Sequence, residues 1–372
     1  MPRRRIPFNT LLPTHRLLAE EIQVAVDRVL ASANYILGPE LEAFETRFAT
    51  YLGVRHAVGV ASGTDAIELA LRAAGVGEGA EVITVSHTAV ATVCAIERAG
   101  ATPVLVEIDP LAYTIDVSAV EAAITPRTAA IVPVHLYGRA CDMTALQAIA
   151  KRHGLVLLED CAQAHGASHR GRKVGTFGEL AAFSFYPTKN LGAYGDAGAV
   201  VTDDDRLAER LRRLRNYGQT ERHKYVEPGF NSRLDEMQAA ILSVRLDHLD
   251  EHNRVRQELA GIYCETTHGV ALPAIDRSDG HVFHLFVIRH PRRDGMREWL
   301  ERHDVETAIH YPIPVHLAPA YSHLGVAAGS LPTTERCTRE IISLPMYIGL
   351  THDDVRRVGS LVTQAAEELA AC

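Results

Sequence analysis

The chain has 372 residues, of which 47% are hydrophobic and 23% charged, with a formal net charge of −8. This composition is that of a folded globular protein. The length exceeds the ~250–300 residues that one hydrophobic core usually serves, so we expect one large and one smaller domain. The acidic balance excludes a generally basic surface for nucleic acid, because the basic run at residues 3–5 is too short to reverse it.

Three features of the sequence concern the environment of the protein. No apolar run approaches the ~20 residues that a membrane helix needs. The first residues are basic but are not followed by the apolar stretch of a secretory signal. The six cysteines form no CxxC pair or close cluster, which argues against a disulfide framework or a structural zinc site. We therefore expect a cytoplasmic protein without a membrane or nucleic-acid partner and without a metal.

Strand and helix patterns alternate between residues 56 and 202. Several of the strand-like runs are apolar almost throughout, as in strands that are covered on both faces. The runs are HAVGVAS, EVITVS, TPVLVEI, TAAIVPVHLY, LVLLED, AAFSF and GAVVT. Residues 64–74, 117–124 and 143–153 lie between them and have helical spacing. This alternation predicts an α/β domain built on a mainly parallel sheet.

The flanking segments suggest how the chain is divided. Helices are predicted at 17–33, 39–52, 204–215, 234–256, 295–304 and the last ~20 residues. Strands are predicted at 281–290 and 305–312, so the end of the chain has an α+β character. We predict an N-terminal arm at 1–15, a large domain at 16–250 and a small α+β C-terminal domain at 251–372.

A phosphate seat is suggested by Ser62, Gly63 and Thr64, which follow the first strand and open a helix. Small residues at such a turn expose backbone N–H groups at the positive end of the helix dipole, where an anion binds. The same residues could simply cap the helix.

A carboxylate and a lysine follow two other strands. Asp160 ends the run LVLLED, and ligands of open α/β sheets bind outside the carboxyl ends of strands. On this segment alone, a pair of surface carboxylates that closes the strand is an equally good explanation. Glu159 precedes Asp160 but points to the opposite face, so only one of the two faces the crevice. Lys189 is the only Lys or Arg between Lys173 and Arg206 and lies in an apolar, Gly-rich loop. Burial there would favour the neutral amine that a Schiff-base lysine needs.

Two polar segments complete the set of candidates. Residues 229–236 (GFNSRLDE) read as a polar turn with a capping box, in which Asn231 or Ser232 would be the cap. Residues 310–316 (HYPIPVH) carry two histidines without the spacing of a zinc helix. A loop stiffened by its prolines explains this segment equally well.

Together these groups match one cofactor. A carboxylate can keep a pyridine nitrogen protonated, a neutral lysine can form a Schiff base with an aldehyde, and a helix start can hold a phosphate. Asp160, Lys189 and the Gly63–Thr64 turn therefore imply pyridoxal 5′-phosphate.

The motifs resemble those of one family over nearly the whole chain, from Ile6 to about Val362. They are ILGPELEAFETRFATYLGVRHAVGVASGTDAIELAL, PVHLYG, LLEDCAQAHGA, FSFYPTKNLGAYGDAGAVVT, NSRLDEMQAA, HYPIP and SLPMY. The chain resembles the DegT/DnrJ/EryC1/StrS family of nucleotide-sugar aminotransferases. The resemblance implies the fold type I, aspartate-aminotransferase-like fold of pyridoxal-phosphate transferases.

The resemblance also implies roles for individual residues. Lys189 would form the Schiff base and move protons, and Asp160 would pair with the pyridine nitrogen. Gln163 would approach the 3-hydroxyl of the cofactor. The phosphate would be held by Gly63, Thr64 and Ser184.

A homodimer with shared active sites follows from the same resemblance. Asn231 would reach the phosphate bound by the neighbouring subunit, and Arg233 would bind the carboxylate of the amino donor, L-glutamate. The candidates for contact with the nucleotide sugar are Tyr186, Tyr225, His310 and Tyr311, with His316 as a weaker one.

The chain departs from the family pattern at two places. The aromatic residue that usually follows the first threonine of T-F/Y/W-x-A-T is replaced by Ala89. His87 or another side chain would then cover the cofactor ring. The arm reads PFNTLLP and lacks the acidic residue that often follows its asparagine.

The segment from NYG to LDEMQAA resembles enzymes that aminate C-3 of dTDP-3-keto-6-deoxyhexoses and favours C-3 over C-4.

Three other functions fit the sequence less well. A dehydratase of this fold that acts at C-3 carries histidine where this chain has Lys189. A non-catalytic regulator would not need the intact lysine, aspartate and phosphate seat. A nicotinamide dehydrogenase needs GxGxxG after its first strand, and residues 59–64 do not match.

Overall fold

The computed structural model describes residues 4–274 and 280–371. The strands of these residues are, in chain order, β1 (His56–Val60), β2 (Glu81–Val85), β3 (Thr102–Val106), β4 (Thr128–Ile131), β5 (Val156–Asp160), β6 (Ser168–His169), β7 (Arg172–Lys173), β8 (Leu180–Ser184), β9 (Gly198–Thr202), β10 (Gln219–Glu221), β11 (Lys224–Tyr225), β12 (Phe286–Arg289) and β13 (Ile341–Leu344).

The α-helices of the same residues are α1 (Leu12–Ser32), α2 (Pro39–Leu52), α3 (Gly63–Ala73), α4 (Val90–Arg98), α5 (Val117–Ala122), α6 (Met143–His153), α7 (Asp205–Leu214), α8 (Glu236–Asp247), α9 (Leu249–Thr266), α10 (Arg293–Arg302), α11 (Pro332–Glu340) and α12 (His352–Ala371). Short 3₁₀ helices lie at Leu136–Gly138, Val315–Leu317 and Pro319–Leu324.

A seven-stranded sheet forms the centre of the chain, with strand order β1-β9-β8-β5-β4-β2-β3. All strands run parallel except β9, which is antiparallel to both of its neighbours. β2 and β9 are buried along their whole length, as their mostly apolar sequences predict. The predicted α/β architecture with a mainly parallel sheet is therefore confirmed.

Helices cover both faces of this sheet. On β8, Phe183 packs in a core cluster with Phe44 and Phe48 of α2, whereas its neighbour Ala182 packs in another cluster with Ile67 of α3. This alternation follows from the period of two along a strand. Because six strands are parallel, their carboxyl ends share one edge. That edge brings together the residues that follow β1, β2, β5 and β8.

Another core cluster lies in the C-terminal part of the chain. It joins residues of α9, α10, α12, β12 and β13 and includes Ile6 from the N-terminal arm. The Ile6 amide donates to the carbonyl oxygen of Asp304 at 2.8 Å, which holds the arm against this cluster.

The division into an arm at 1–15 and domains at 16–250 and 251–372 stays a prediction. None of the described helices is both long and apolar enough to cross a membrane.

Several predicted elements differ from those observed. The first helix begins at Leu12 rather than residue 17, because Pro13 is well accommodated in its first turn. The single helix predicted at 234–256 is two helices that meet at His248. The strand predicted at 305–312 is wrong. This segment forms only isolated bridges, from Val305 to Ile6 and from Ala308 to Ser343, and β12 covers only part of the strand predicted at 281–290.

Candidate active site

A cavity of about 220 Å³ lies at the carboxyl edge of the sheet. Seven of the predicted site residues line it, namely Gly63, Thr64, Asp160, Gln163, Ser184, Tyr186 and Lys189. The remaining lining residues include Ser62, Thr88, Ala89, Thr92, Ala162 and Asp196. The cavity therefore brings together residues from several strand ends, among them those of β1, β2, β5 and β8, that lie far apart in the sequence.

The start of α3 forms one wall of the cavity. The Ser62 hydroxyl accepts a hydrogen bond from the Asp65 amide at 3.1 Å and caps the helix. The amides of Gly63 and Thr64 donate to no other described residue, so they remain available to an anion. A Cβ atom on Gly63 would lie 2.5 Å from that of Ser184. Glycine is thus needed for the helix start to approach the end of β8. The capping interpretation is confirmed, whereas the phosphate seat, with which the available amides are compatible, stays a prediction.

Asp160 faces the cavity from the end of β5 and is buried. Its Oδ2 accepts a hydrogen bond from the Thr92 hydroxyl at 2.8 Å, and its Oδ1 accepts one from the Ala162 amide at 3.1 Å. Burial raises the pKa of this carboxyl group, and the two hydrogen bonds and the nearby Lys189 oppose that rise.

Glu159 points to the other face of the sheet, as the strand period requires. Its carboxylate accepts hydrogen bonds from the amides of Gly175, Phe177 and Gly178 at 2.7–2.8 Å. It also lies 3.0 Å from Nε2 of His135. These donors account for the carboxylate's lone pairs. Glu159 therefore stabilises the fold behind the cavity, and Asp160 is the carboxylate that faces it.

Lys189 lines the cavity from the loop that follows β8. Its backbone amide donates to the Tyr186 carbonyl oxygen at 2.8 Å. The side chain of Asn190 next to it donates to Asn253 at 2.8 Å and to the Val282 carbonyl oxygen at 3.0 Å, which anchors the loop. The Lys189 amine donates to no described residue. Burial lowers the pKa of Lys189 to about 8, although the Asp160 carboxylate acts to raise it.

Gln163 connects the cavity to two other segments. Its Oε1 accepts a hydrogen bond from the Tyr137 amide at 2.8 Å, and its Nε2 donates to the Tyr311 hydroxyl at 3.1 Å. Tyr137 has a φ of 60°, and this left-handed conformation aims its amide at Gln163. Tyr311 thus contacts a lining residue without lining the cavity. His310 does not line the cavity either, and its ring stacks on that of Phe8 with the ring centroids 5.4 Å apart.

Three further predicted residues, besides Tyr311 and His310, do not line the cavity. Asn231 is exposed, and Tyr225 on β11 is 60% exposed. Nη1 of Arg233 donates to Asn216 Oδ1 at 3.2 Å, whereas its buried Nε has no hydrogen-bond partner among the described residues.

The prediction that Asn231 or Ser232 caps α8 is wrong. The cap is Asp235, whose side chain accepts a hydrogen bond from the Gln238 amide at 2.8 Å. The Ser232 hydroxyl instead donates to Asp65 Oδ2 at 2.8 Å, so it supports the start of α3.

Two histidines predicted near the cofactor or substrate lie in the core. His87 is 1% exposed, contacts the Tyr137 hydroxyl at 2.7 Å and does not line the cavity. Its side chain therefore does not face the cavity in which the cofactor ring would lie, and burial lowers the pKa of His87 to about 3. His316 lies between the Ser86 hydroxyl at 2.7 Å and Glu335 at 3.3 Å. It holds the 310–316 segment against the end of β2.

Sequence reasoning does not select Thr88, Thr92 or Asp196 as site residues. The two threonines are four apart and follow the predicted strand β2, so their position at a strand's carboxyl end could have identified them. Asp196 follows the glycine-rich lysine loop and is exposed at the cavity. No spacing rule distinguishes it from an ordinary loop aspartate.

The chemistry of the cavity fits pyridoxal 5′-phosphate. The free amides at the start of α3 and the Ser184 hydroxyl suit a phosphate, the buried Asp160 suits a pyridine nitrogen, and the Lys189 amine suits an aldehyde. These three kinds of group lie on the walls of one cavity. The fold and this set of groups define a pyridoxal-phosphate-dependent enzyme of the aspartate-aminotransferase fold.

Comparison with known proteins agrees with this class. The model of the DegT/DnrJ/EryC1/StrS aminotransferase family matches residues 16–363, and the chain belongs to this family. It is 50% identical to a dTDP-3-amino-3,4,6-trideoxy-alpha-D-glucose transaminase of Streptomyces venezuelae, over 98% of this chain and 97% of the relative. The protein is thus an aminotransferase.

Two solved structures are similar along nearly the whole chain. One is DesV of S. venezuelae in complex with a ketimine intermediate, with a TM-score of 0.96, 50% identity and coverage of 98% and 99% of the two chains. The other is NtdA of Bacillus subtilis with bound cofactor PMP, with a TM-score of 0.90, 34% identity and coverage of 99% and 87%. The cofactor expected for this chain is accordingly pyridoxal 5′-phosphate.

Proposed function

We propose that the protein transfers an amino group from L-glutamate to C-3 of a dTDP-linked 3-keto-6-deoxyhexose. The observation that carries this proposal is that Lys189, Asp160 and the phosphate seat line one cavity. The choice of a 3-keto sugar is supported by the 50% identical Streptomyces relative and by a 53% identical transaminase of Micromonospora megalomicea, both named for a dTDP-3-amino-3,4,6-trideoxy sugar.

Each lining residue has a distinct task in this proposal. When bound, the cofactor supplies an electron sink and a carrier for the amino group. Asp160 holds a proton on the pyridine nitrogen by its negative charge. The Gly63 and Thr64 amides and the Ser184 hydroxyl hold the phosphate, and Gln163 faces the 3-hydroxyl.

Lys189 anchors the cofactor covalently and moves protons. A nucleophile and general base must be able to lose its own proton near the working pH. Since the pKa of Lys189 is lowered to about 8, about half of the amines are neutral at pH 8. An ordinary exposed lysine at that pH is almost fully protonated.

We further propose that two subunits share each active site. Asn231, Arg233 and Tyr225 would then complete the cavity of the partner, where Asn231 holds the phosphate and Arg233 binds the carboxylate of glutamate. Tyr186, His310 and Tyr311 are the proposed sugar contacts from the same subunit. The exposure of Leu17 and Val24, which lie seven residues apart on one side of α1 and are 65% and 59% exposed, supports a dimer.

Subunit mixing tests the shared site. Lys189→Ala subunits are mixed with Asn231→Ala/Arg233→Ala subunits and allowed to exchange. A mixed dimer has one site with both defects and one with neither. Random exchange at equal concentrations makes about half of the dimers mixed, so roughly a quarter of wild-type activity should return.

A matched control combines two defects in residues that the same subunit supplies to a given active site. Mixing Lys189→Ala with Asp160→Asn leaves one defect in every site of the mixed dimer, so no recovery is expected. If the first mixture also stayed inactive despite demonstrated exchange, Asn231 and Arg233 would act in their own subunit and the shared site would be wrong.

The regiochemistry of the product tests the proposed substrate. The holoenzyme is incubated with L-glutamate and a panel of dTDP-linked 3-keto and 4-keto 6-deoxyhexoses, and each product is analysed by NMR. We expect the amine at C-3 and turnover of the 4-keto sugars at least ~100-fold slower, because misplacing the reacting carbon costs about that much. Preferential amination at C-4 would refute the C-3 assignment while leaving the aminotransferase class intact.

A further inference from the structure

A chain of two hydroxyl groups leads to Asp160 from the turn between β2 and α4. Thr92 lies in the first turn of α4, is 1% exposed, and places its Oγ1 2.8 Å from Asp160 Oδ2. The Thr88 Oγ1 lies 2.9 Å from that of Thr92. Both threonines line the cavity. Among the described residues, the other oxygen of Asp160, Oδ1, accepts a hydrogen bond only from the Ala162 amide.

The number of available hydroxyl protons fixes which group donates in each of these two hydrogen bonds. An ionised carboxylate can only accept hydrogen bonds, so the single hydroxyl proton of Thr92 is donated to Asp160. The contact between the threonines must then use the proton of Thr88. Thr92 is therefore the member that contacts the carboxylate, and Thr88 fixes its hydroxyl in the donating orientation.

The charged and titratable groups around Asp160 act in different directions. Lys189, from the loop after β8, and His135, from the turn after β4, favour the ionised carboxylate. Cys161 follows it on the chain, and Tyr311 faces it from the 310–316 segment. Burial is the largest influence and favours the protonated form. A hydrogen bond donated to the charged form offsets this effect.

We infer that Thr92 is a positioning residue of the active site, whose hydroxyl holds Asp160 ionised and oriented toward the pyridine nitrogen of the cofactor. This inference rests on the proposed role of Asp160. Without the Thr92 hydroxyl, the carboxylate would rotate more freely and hold the pyridine proton less firmly. Less positive charge on the ring would let the Lys189–cofactor linkage keep its own proton to a higher pH.

The test compares the holoenzymes of the wild type, Thr92→Val, Thr92→Ser and Thr84→Val. Valine keeps the shape of threonine but lacks the hydroxyl, whereas serine keeps the hydroxyl. Thr84 provides the matched control, because it is also buried but donates to the Val132 carbonyl oxygen at 2.8 Å, away from Asp160. The pH titration of the visible cofactor band and the dissociation constant of the cofactor are measured for each protein.

We expect the titration midpoint of Thr92→Val to rise by about one pH unit and its cofactor dissociation constant to rise roughly ten-fold, as for the loss of one hydrogen bond to a charged group. Thr92→Ser should remain within about two-fold of the wild type, and Thr84→Val should match it in both readouts. If Thr92→Val does not fold, Thr92→Ala is read in the same way.

The outcomes separate this inference from the proposed function. A wild type without a visible band would refute the proposed cofactor chemistry itself. A wild type with a normal band and a Thr92→Val or Thr92→Ala variant that titrates and binds like it would overturn the role of Thr92 alone. A Thr92→Ser variant as impaired as the valine variant would also overturn it, because packing rather than the hydroxyl would then matter.

Discussion

Lys189→Ala is expected to abolish transamination while the protein still folds. The substitution removes both the group that anchors the cofactor and the base that moves protons. The rate should therefore fall well beyond the ~10²–10⁴-fold that acid–base catalysis contributes alone. Single-turnover assays with L-glutamate measure this loss. Lys151→Ala provides a control, since that exposed lysine lies in the last turn of α6. Residual activity above a few per cent of wild type would refute the assignment.

The stability of the same variant is expected to depend on pH differently from that of the wild type. Burial lowers the pKa of Lys189 from its ordinary 10.5 to about 8, so the unfolded chain binds this proton more tightly. The charged amine therefore disfavours the folded state fully below pH 8, and the penalty fades between about pH 8 and 10.5. Cofactor-free Lys189→Ala should unfold at a temperature no lower than wild type at pH 7. A lower unfolding temperature at pH 7 would contradict the buried-amine environment.

Asp160→Asn is expected to bind the cofactor but to lose at least ~10³-fold in turnover. Asparagine keeps the shape of aspartate but has no negative charge to hold a proton on the pyridine nitrogen. This loss removes an interaction of about 4 kcal/mol in the transition state, by analogy with other buried charge contacts. The rate of the half-reaction with glutamate and the absorption spectrum of the variant measure the effect.

Glu159→Gln is the matched control for this change. The Glu159 carboxylate accepts hydrogen bonds from three backbone amides outside the cavity. The side-chain NH₂ group of a glutamine would therefore face N–H donors and could not replace the carboxylate oxygen as an acceptor. We expect a free energy of unfolding lowered by about 3 kcal/mol with the spectrum of the folded holoenzyme preserved. Wild-type rates for Asp160→Asn together with lost chemistry in Glu159→Gln would show that the carboxylates have been assigned to the wrong faces.

The sheet can be predicted from the sequence because its strands are buried on both faces and are short apolar runs separated by helical spacing. The rule that ligands bind at the carboxyl edge of such a sheet then places Gly63, Asp160, Ser184 and Lys189 near one another. Choosing between Glu159 and Asp160 needs the fold. The period of two along a strand shows only that the two side chains point to opposite faces. The backbone amides of residues 175–178, which bind Glu159, show that Asp160 is the one that faces the cavity.

Other features depend on contacts that sequence patterns do not encode. The helix α4 begins at Val90, and its N-cap residue Ala89 has no side chain that could cap it, so the start of α4 and the role of Thr92 have no local signal. The position of His87 in the chain suggests a place at the cofactor, yet its hydrogen bond with Tyr137 holds it in the core. If the shared-site proposal is correct, the surroundings of Asn231 in the working enzyme would depend on a second subunit, which the sequence pattern of one chain does not describe.

The central claim is that this chain holds pyridoxal 5′-phosphate covalently at Lys189. Its most direct test is borohydride reduction of the purified holoenzyme, followed by proteolysis and mass spectrometry of the peptides. We expect reduction to remove the visible band and to leave the reduced cofactor on the peptide that contains Lys189. A label on another lysine, or a band that borohydride does not change, would contradict it.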